Sequence, residues 1–384
     1  MTKQKNALIL ILTIGVFGIL NTEMGVVGVL PLIADHFNIS IAKAGLLVSL
    51  FALAVAISGP AMPLLFSGIN RKKVMLLVLG VFVLGNLVSI FAPNFSILLI
   101  ARVIPAFLHP VYISIAFTAA AASVSKEEAP KATSKVFMGV TGGMVLGAPV
   151  SSFIANTTSL EMAMLFFTIV NVIAFIAILR FVPSMPVKER SSYGSQLSVL
   201  KKPIIWLSIA AVVFINAAMY GVASYLAEYL AIITNIPGKT ISIMLLIFGG
   251  ASIIGNIVAG KLLTKNAIKS AASLPFVLGA VYVLWFLMGQ SAVPMAIIVL
   301  IFGVVVAIGN NMSQYWMTSA APEAPEFSNG LFLASSNLGV TIGTSVGGLV
   351  ISGMGTQYVV LGGLLFLILS FVFIALRVLL VMRR

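Results

Sequence analysis

Long apolar runs follow one another along nearly the whole chain, separated only by short punctuation of Lys, Arg, Pro and Gly. A helix needs about 20 apolar residues to cross the hydrocarbon of a bilayer, so runs of this kind have one ready interpretation. Of the 384 residues, 60% are hydrophobic and 8% charged. A soluble domain carries about 25% charged residues, and a water-soluble globule is therefore excluded.

The punctuation predicts spans over 7–33, 42–66, 73–92, 95–122, 132–155 and 160–182, then over 203–233, 239–262, 266–289, 292–320, 329–352 and 356–382. The expected fold is an all-α membrane protein of twelve transmembrane helices in two six-helix bundles, 1–182 and 203–384. A polar linker, 183–202, containing Lys188, Glu189, Arg190, Lys201 and Lys202, joins them. That linker is the longest polar segment, so no stretch remains for a separate soluble catalytic domain. Lys3 and Lys5 before the apolar run Ala7–Leu30 superficially resemble a signal peptide, but the run is too long and has no small-residue cleavage site, so it reads as the first span.

The formal charge of +13 reflects 22 Lys and Arg against 9 Asp and Glu. With both termini inside, only Lys43 and Lys239 fall in outside loops and Arg102 falls within a span, leaving the other basic residues cytoplasmic. The charge thus reports topology and implies no nucleic-acid partner. With no cysteine and two distant histidines, His36 and His109, neither a disulfide framework nor a metal cluster is expected.

The halves echo one another, as in transporters built from related bundles. Asn38-Ile39-Ser40 recurs as Asn235-Ile236-Pro237, and Gly143-x-x-x-Gly147 as Gly339-x-x-x-Gly343-x-x-x-Gly347. Basic turns follow spans 2 and 8, at Arg71-Lys72-Lys73 and between Lys261 and Lys265.

An ionisable group at a helix centre in hydrocarbon costs about 2.5–3.5 kcal/mol on insertion scales, so each needs a reason. Glu23 lies in span 1, Arg102 and His109 in span 4 and Glu228 near the outer end of span 7; Asp35 and His36 end span 1 on the outside. Counting helical rise puts Glu23 and Arg102 at similar depth in the outer half of the bilayer, where they are able to pair. Either the pair titrates, loading a proton from one side and releasing it when a substrate approaches, or it is a permanent tie between helices. His109, two turns beyond Arg102, is either a buried neutral histidine or a coupling group. Glu228 reads equally as an interfacial residue or a gate.

Polar and aromatic residues inside spans mark a candidate substrate cavity: Asn21, Tyr112, Asn216, Tyr220, Tyr225, Asn310, Gln314, Tyr315, Trp316 and Asn337. Interhelical hydrogen bonding explains such residues as well as ligand binding does. The run Asn310 to Trp316 is the densest. Gly143, Gly147 and Pro149 in span 5 allow close helix approach and a bend.

These residues resemble the major facilitator superfamily, specifically its twelve-helix drug/proton antiporter branch, which includes arabinose-type sugar-efflux permeases and purine efflux pumps. Thr22-Glu23 followed by Gly28-Val29-Leu30-Pro31 is similar to that branch's acid and Gly-x-Leu-Pro exit. Arg102 with His109 resembles its arginine motif and the histidine of sugar-efflux members. Gly143 through Pro149 resembles the antiporter motif, and Asn337-Leu338-Gly339 through Gly348 the family's span 11. The resemblance implies that Glu23 is the proton-linked acid, Arg102 its partner, and Gly147 with Pro149 the bend controlling a central cavity. The chain departs from the pattern in three places. The turn with Arg71 lacks the acid usual in the gating motif, Glu228 stands where relatives often have proline, and Ser151-Ser152 replace the motif's final glycines.

The expectation is a proton-driven exporter of a small organic solute or drug, working by alternating access in a cell membrane. A proton gradient is the energy source, with no cofactor or metal, and its partners are lipid, protons and substrate. A monomer suffices. The rivals are a proton-coupled symporter of a sugar or nucleobase and a non-transporting membrane sensor or membrane-embedded enzyme. No nucleophile with a base, metal-ligand set or phosphate loop is visible in the spans.

Overall fold

The computed structural model describes residues 3–39, 41–187 and 193–382. Lys188, Glu189 and Arg190 of the expected linker, and Ser40 of the first Asn-Ile repeat, lie outside the described residues. Helices account for almost all the rest, with no strand among the described residues.

The chain divides into two compact units, Met1–Gln196 and Leu197–Arg384. The first contains α1 (Lys3–Gly25), a 3-10 turn (Val26–Val29), α2 (Leu30–His36), α3 (Ile41–Ala44), α4 (Leu46–Phe66), α5 (Arg71–Ile90), α6 (Phe95–Ala122), α7 (Ala129–Thr157), α8 (Leu160–Phe181) and most of α9 (Tyr193–Leu197). The second contains α10 (Pro203–Ala223), α11 (Leu226–Ile232), α12 (Gly238–Met288), α13 (Ala292–Thr318), α14 (Pro325–Met354) and α15 (Val359–Met382).

Among the described residues, eleven helical segments are long and apolar enough to cross a membrane. The expected spans 8 and 9 appear as one 51-residue helix, α12, whose backbone leaves helical geometry only at Asn266 (φ −162°, ψ 92°). No proline or glycine separates them there, and the Asn266 side chain accepts from the Lys269 amide as an N-cap, so the second segment starts without a loop.

Local sequence explains the helix ends. Asn70, Asn94 and Ser159 accept backbone N–H groups of the first turns of α5, α6 and α8. Asn38 and Asn235 are the non-glycine residues with positive φ among those described, at 51° and 52°. Asparagine tolerates the left-handed conformation that closes a helix, so the repeated Asn-Ile motif is a repeated C-terminal stop after α2 and α11.

Both units use a stripe of small residues to bring two helices into backbone contact. In the second, a Cβ built on Gly339, Gly343 or Gly347 of α14 would lie 2.4, 2.3 or 2.7 Å from the carbonyl oxygens of Val213, Ala217 and Gly221 on α10. In the first, α7 meets α1 in the same way, with Gly143 against Leu20 and Gly147 against the Gly25 amide. Four-residue spacing on both helices keeps one such row in register. Large apolar side chains such as Ile57 (61% exposed) and Leu84 (63%) face outward, as expected where the surroundings are lipid.

Candidate functional site

Span 1 does not run straight through. α1 ends at Gly25, a 3-10 turn follows, and Pro31 sits in the first turn of α2. Gly28 lies in that turn against α7, where a Cβ would come 2.1 Å from the Ala148 carbonyl oxygen, so the Gly-x-Leu-Pro sequence describes a tightly packed break. A helix end leaves carbonyls without intrahelical donors and carries partial negative charge, and in hydrocarbon those groups need partners from other helices.

Two residues supply them. Arg102 Nη2 donates to the Thr22 carbonyl at 2.5 Å, and Ser151 Oγ donates to the Gly25 carbonyl at 2.5 Å. Ser151, which departs from the antiporter motif, thus has a defined role as a cap on the broken helix.

The expected Glu23–Arg102 pair is not formed. Glu23 Oε2 lies 3.3 Å from His109 Nε2, with the two side chains 16% and 6% exposed. The depth count predicted proximity, and Arg102 does remain within Coulombic reach of Glu23. It omitted the carbonyls at the end of α1, which take the guanidinium. Among the described residues Arg102 Nε and Nη1 have no hydrogen-bond partner, and the guanidinium's one bond is that to Thr22 O. Phe51 closes one side of His109, with ring centroids 6.1 Å apart.

Thr22 is the hub behind the pair. Its hydroxyl donates to Gly18 O (3.0 Å) and accepts from Asn171 Nδ2 (2.8 Å) and Asn86 Nδ2 (3.3 Å). One residue therefore joins α1 to α5, α6 and α8. Asn86 and Asn171 were missed as site residues, although an asparagine within an apolar run was the available signal.

The remaining candidates in this unit separate into groups. Asn21 is fully buried and the Tyr112 hydroxyl equally so beside Gly15; among the described residues neither amide atom of Asn21 nor the Tyr112 hydroxyl has a partner. Asp35 is exposed at the end of α2 and takes no part in the buried cluster. Helix α7 continues through Pro149. The Arg71 amide donates to the Met185 carbonyl, tying α5 to the segment after α8.

In the second unit, the dense run in span 10 disperses, because consecutive residues on a helix point about 100° apart. Asn310 exchanges hydrogen bonds with Tyr220, Asn311 donates to Asn256, and Gln314 donates to Asn329. Trp316 lies under Arg377, whose guanidinium carbon is 4.0 Å from the ring centroid. Asn216 donates to Val212 O and Ser313 Oγ, Tyr225 to Thr344 O, and Asn337 to Leu333 O. Tyr315 is half-buried, and its carbonyl accepts from the Ser319 amide. Most of these residues are thus committed to interhelical or local bonds.

Glu228 accepts from Thr356 Oγ1 at 3.1 Å. Arg377 was expected among the cytoplasmic charges; it is instead buried in α15, where it donates to the Trp316 carbonyl and to Ser319 Oγ (2.8 Å). It caps α13 much as Arg102 caps α1.

A protein-family model described as Major Facilitator Superfamily matches residues 12–332. The MFS-type transporter YtbD of Bacillus subtilis (strain 168) is 32% identical over 365 residues, 93% of this chain and 92% of its own length. The inner membrane transport protein YdhP of Escherichia coli (strain K12) is 28% identical over 352 residues, 91% of this chain and 90% of its own. Among solved structures, the human organic anion transporter MFSD10 (TETRAN) has a TM-score of 0.78 at 14% identity, covering 97% of this chain and 100% of its own. The E. coli fucose:proton symporter FucP has a TM-score of 0.76 at 15% identity, covering 95% and 97%. At those identities the structures speak for the fold alone, whereas the family model and YtbD span nearly the whole sequence. A multi-pass integral membrane protein of two helical units, each with a broken first span, the chain belongs to the major facilitator superfamily of membrane transporters.

Proposed function

We propose that the chain exports a small organic solute in exchange for protons, with Glu23 and His109 as the proton-coupling pair. The observation that carries this reading is the 3.3 Å contact between two titratable side chains, His109 buried and Glu23 largely so, beside a break in the first span. A histidine and a carboxylate in contact are able to pass one proton between them, and histidine changes charge near physiological pH.

Exchange follows from competition for one carboxylate. Deprotonated Glu23 forms an ion pair or a charge-assisted hydrogen bond with a solute; protonated Glu23 has lost the charge and accepts only the weaker bond of a neutral acid. Proton and solute therefore occupy the site in turn, and closing the empty site over an uncompensated Glu23 charge is disfavoured because a charge shut away from water needs a partner. The unpartnered Asn21 amide, two residues before Glu23, and the Tyr112 hydroxyl, one turn beyond His109, are the groups a polar solute would satisfy. Arg102 acts in this scheme by holding the end of α1, where Glu23 sits.

The topology that goes with this reading is twelve spans, α12 supplying two, with both termini cytoplasmic. Two six-helix bundles, 1–182 and 203–384, alternate access in a monomer, and the proton gradient is the energy source.

The test is proton movement in proteoliposomes loaded with a pH dye, on addition of cationic drugs, sugars and nucleobases. It is applied to wild type, Glu23→Gln and His109→Gln. Substrate-triggered flux opposite to the solute, lost in both variants, is expected. Flux in the same direction as the solute makes the protein a symporter, and flux unchanged in Glu23→Gln removes Glu23 as the carrier.

A further inference from the structure

A groove of about 700 Å³ lies on the second unit between the start of α10 and the end of α15. Its lining includes Trp206 and Leu207 from α10 and Phe373, Leu376 and Leu379 from α15, with Lys201 as the charged residue of the lining. Lys201 precedes Pro203, the first residue of α10, and Phe373 lies nine residues before the end of α15. At 1.5 Å per residue the groove runs from the membrane surface about 14 Å into hydrocarbon, a cation at its mouth and apolar walls below.

The charges around the mouth are unbalanced. Lys202 is neutralised by its ion pair with Glu323. Lys201 has no partner among the described residues. Arg377, although adjacent in sequence to Leu376, is buried outside the groove's lining, on the Trp316 carbonyl and ring and the Ser319 hydroxyl. One uncompensated cation, Lys201, thus stands at the mouth of an apolar channel of acyl-chain shape. The Trp206 indole, 57% exposed, is held as a wall by donating from Nε1 to the Leu200 carbonyl at 2.8 Å.

We infer that this groove binds an anionic phospholipid, its headgroup phosphate at Lys201 and one acyl chain along Trp206, Leu207 and Phe373. A zwitterionic lipid fills the apolar part equally well but leaves the positive charge uncompensated. A basic residue near an anionic leaflet favours such lipids by about fivefold. The claim is independent of the direction of transport and of Glu23.

Trp206 reports directly on the occupant, because the other two tryptophans, Trp285 and Trp316, are 0% and 5% exposed. The full chain is reconstituted in phosphatidylcholine vesicles containing equal small fractions of brominated phosphatidylglycerol or brominated phosphatidylcholine, and tryptophan emission is recorded. Stronger quenching by the phosphatidylglycerol is expected, equivalent to about fivefold preferential association. The preference falls towards unity in Lys201→Gln, persists in Lys201→Arg, and the quenching disappears in Trp206→Phe. Lys201 is exposed, so neither of its variants threatens folding. Equal quenching by the two lipids overturns the assignment, as does a preference that survives Lys201→Gln or quenching undiminished in Trp206→Phe. Loss of the preference on adding millimolar inorganic phosphate at constant ionic strength overturns it in favour of a site for free phosphate.

Discussion

Replacing Thr22 by valine removes one hydroxyl from the first unit while keeping the side chain's shape. That hydroxyl accepts from Asn171 at 2.8 Å and from Asn86 at 3.3 Å, both on other helices, and all three residues are nearly inaccessible. Interhelical hydrogen bonds in membranes average about 0.6 kcal/mol and reach about 1.7. Two of them give about 1.2 kcal/mol at the mean and about 3.4 at the upper end. Asn171 keeps its bonds to Gly18 O and Phe167 O, whereas the Asn86 amide loses its only hydrogen-bonded partner among the described residues, so the longer bond accounts for much of the loss. The expected destabilisation is about 1–3 kcal/mol. It is measured by sodium dodecyl sulfate titration followed by circular dichroism. The sharper test is the cycle Thr22→Val, Asn171→Leu and the double variant. Because the two residues share a bond, the combined loss should fall short of the sum by at least about 0.6 kcal/mol. Strict additivity would refute the hub. It would leave Thr22 as a packing residue, with the end of α1 held by Arg102 and Ser151 alone.

Gly343→Ala places a methyl 2.3 Å from the Ala217 carbonyl and should cost about 1–3 kcal/mol, while Gly250→Ala, with nothing within 4 Å, should be neutral or gain up to about 1 kcal/mol; equal melting temperatures for the two variants would contradict the close α10–α14 approach. Asn235→Ala should lose about 1–2 kcal/mol at its left-handed φ of 52°, and Asn235→Gly should be tolerated, which the same denaturant titration checks. Partial burial pushes the Glu323 carboxyl up, but hydrogen bonding to and the positive charge of Lys202 outweigh it and hold the group below its ordinary value of 4.5. Its contribution is therefore present above pH 4.5 and lost as pH falls through the lower folded value, and with both side chains 45% exposed it stays under about 1 kcal/mol. The stability gap between wild type and Glu323→Gln should accordingly be measurable at pH 7 and vanish in strong acid.

Broken first spans in both units give the family's architecture a local cause. α1 gives way to α2 at Gly25–Val29, and α10 to α11 at Ser224–Tyr225, in each case where a small-residue stripe of the neighbouring helix ends its contact. Ser151 and Arg102, from other helices, cap the break in the first unit, whereas in the second Tyr225, at the break itself, donates its hydroxyl to the Thr344 carbonyl of α14. A charge-bearing break is a suitable place for a coupling site, because its backbone groups are already stabilised from outside the helix.

The sequence by itself determined the environment, the fold class and most of the spans. Hydrophobic runs and the distribution of charge are properties of consecutive residues, and the bilayer reads them one segment at a time. The Asn38/Asn235 repeat and the Gly143/Gly339 stripes were legible for the same reason, since a helix stop or a four-residue spacing is local. What the tertiary structure decided was pairing. Glu23 meets His109 rather than Arg102 because the end of α1 offers carbonyls that claim the guanidinium, and no count of helical rise includes that competition. Arg377 is a buried cap rather than a surface charge because Trp316 and Ser319 arrive from another helix. The Asn310–Trp316 run, compact in sequence, is dispersed over several neighbours by the 100° turn of the helix. Side-chain partners across helices depend on rotation and register between segments far apart in the chain, and those are fixed only when the helices pack.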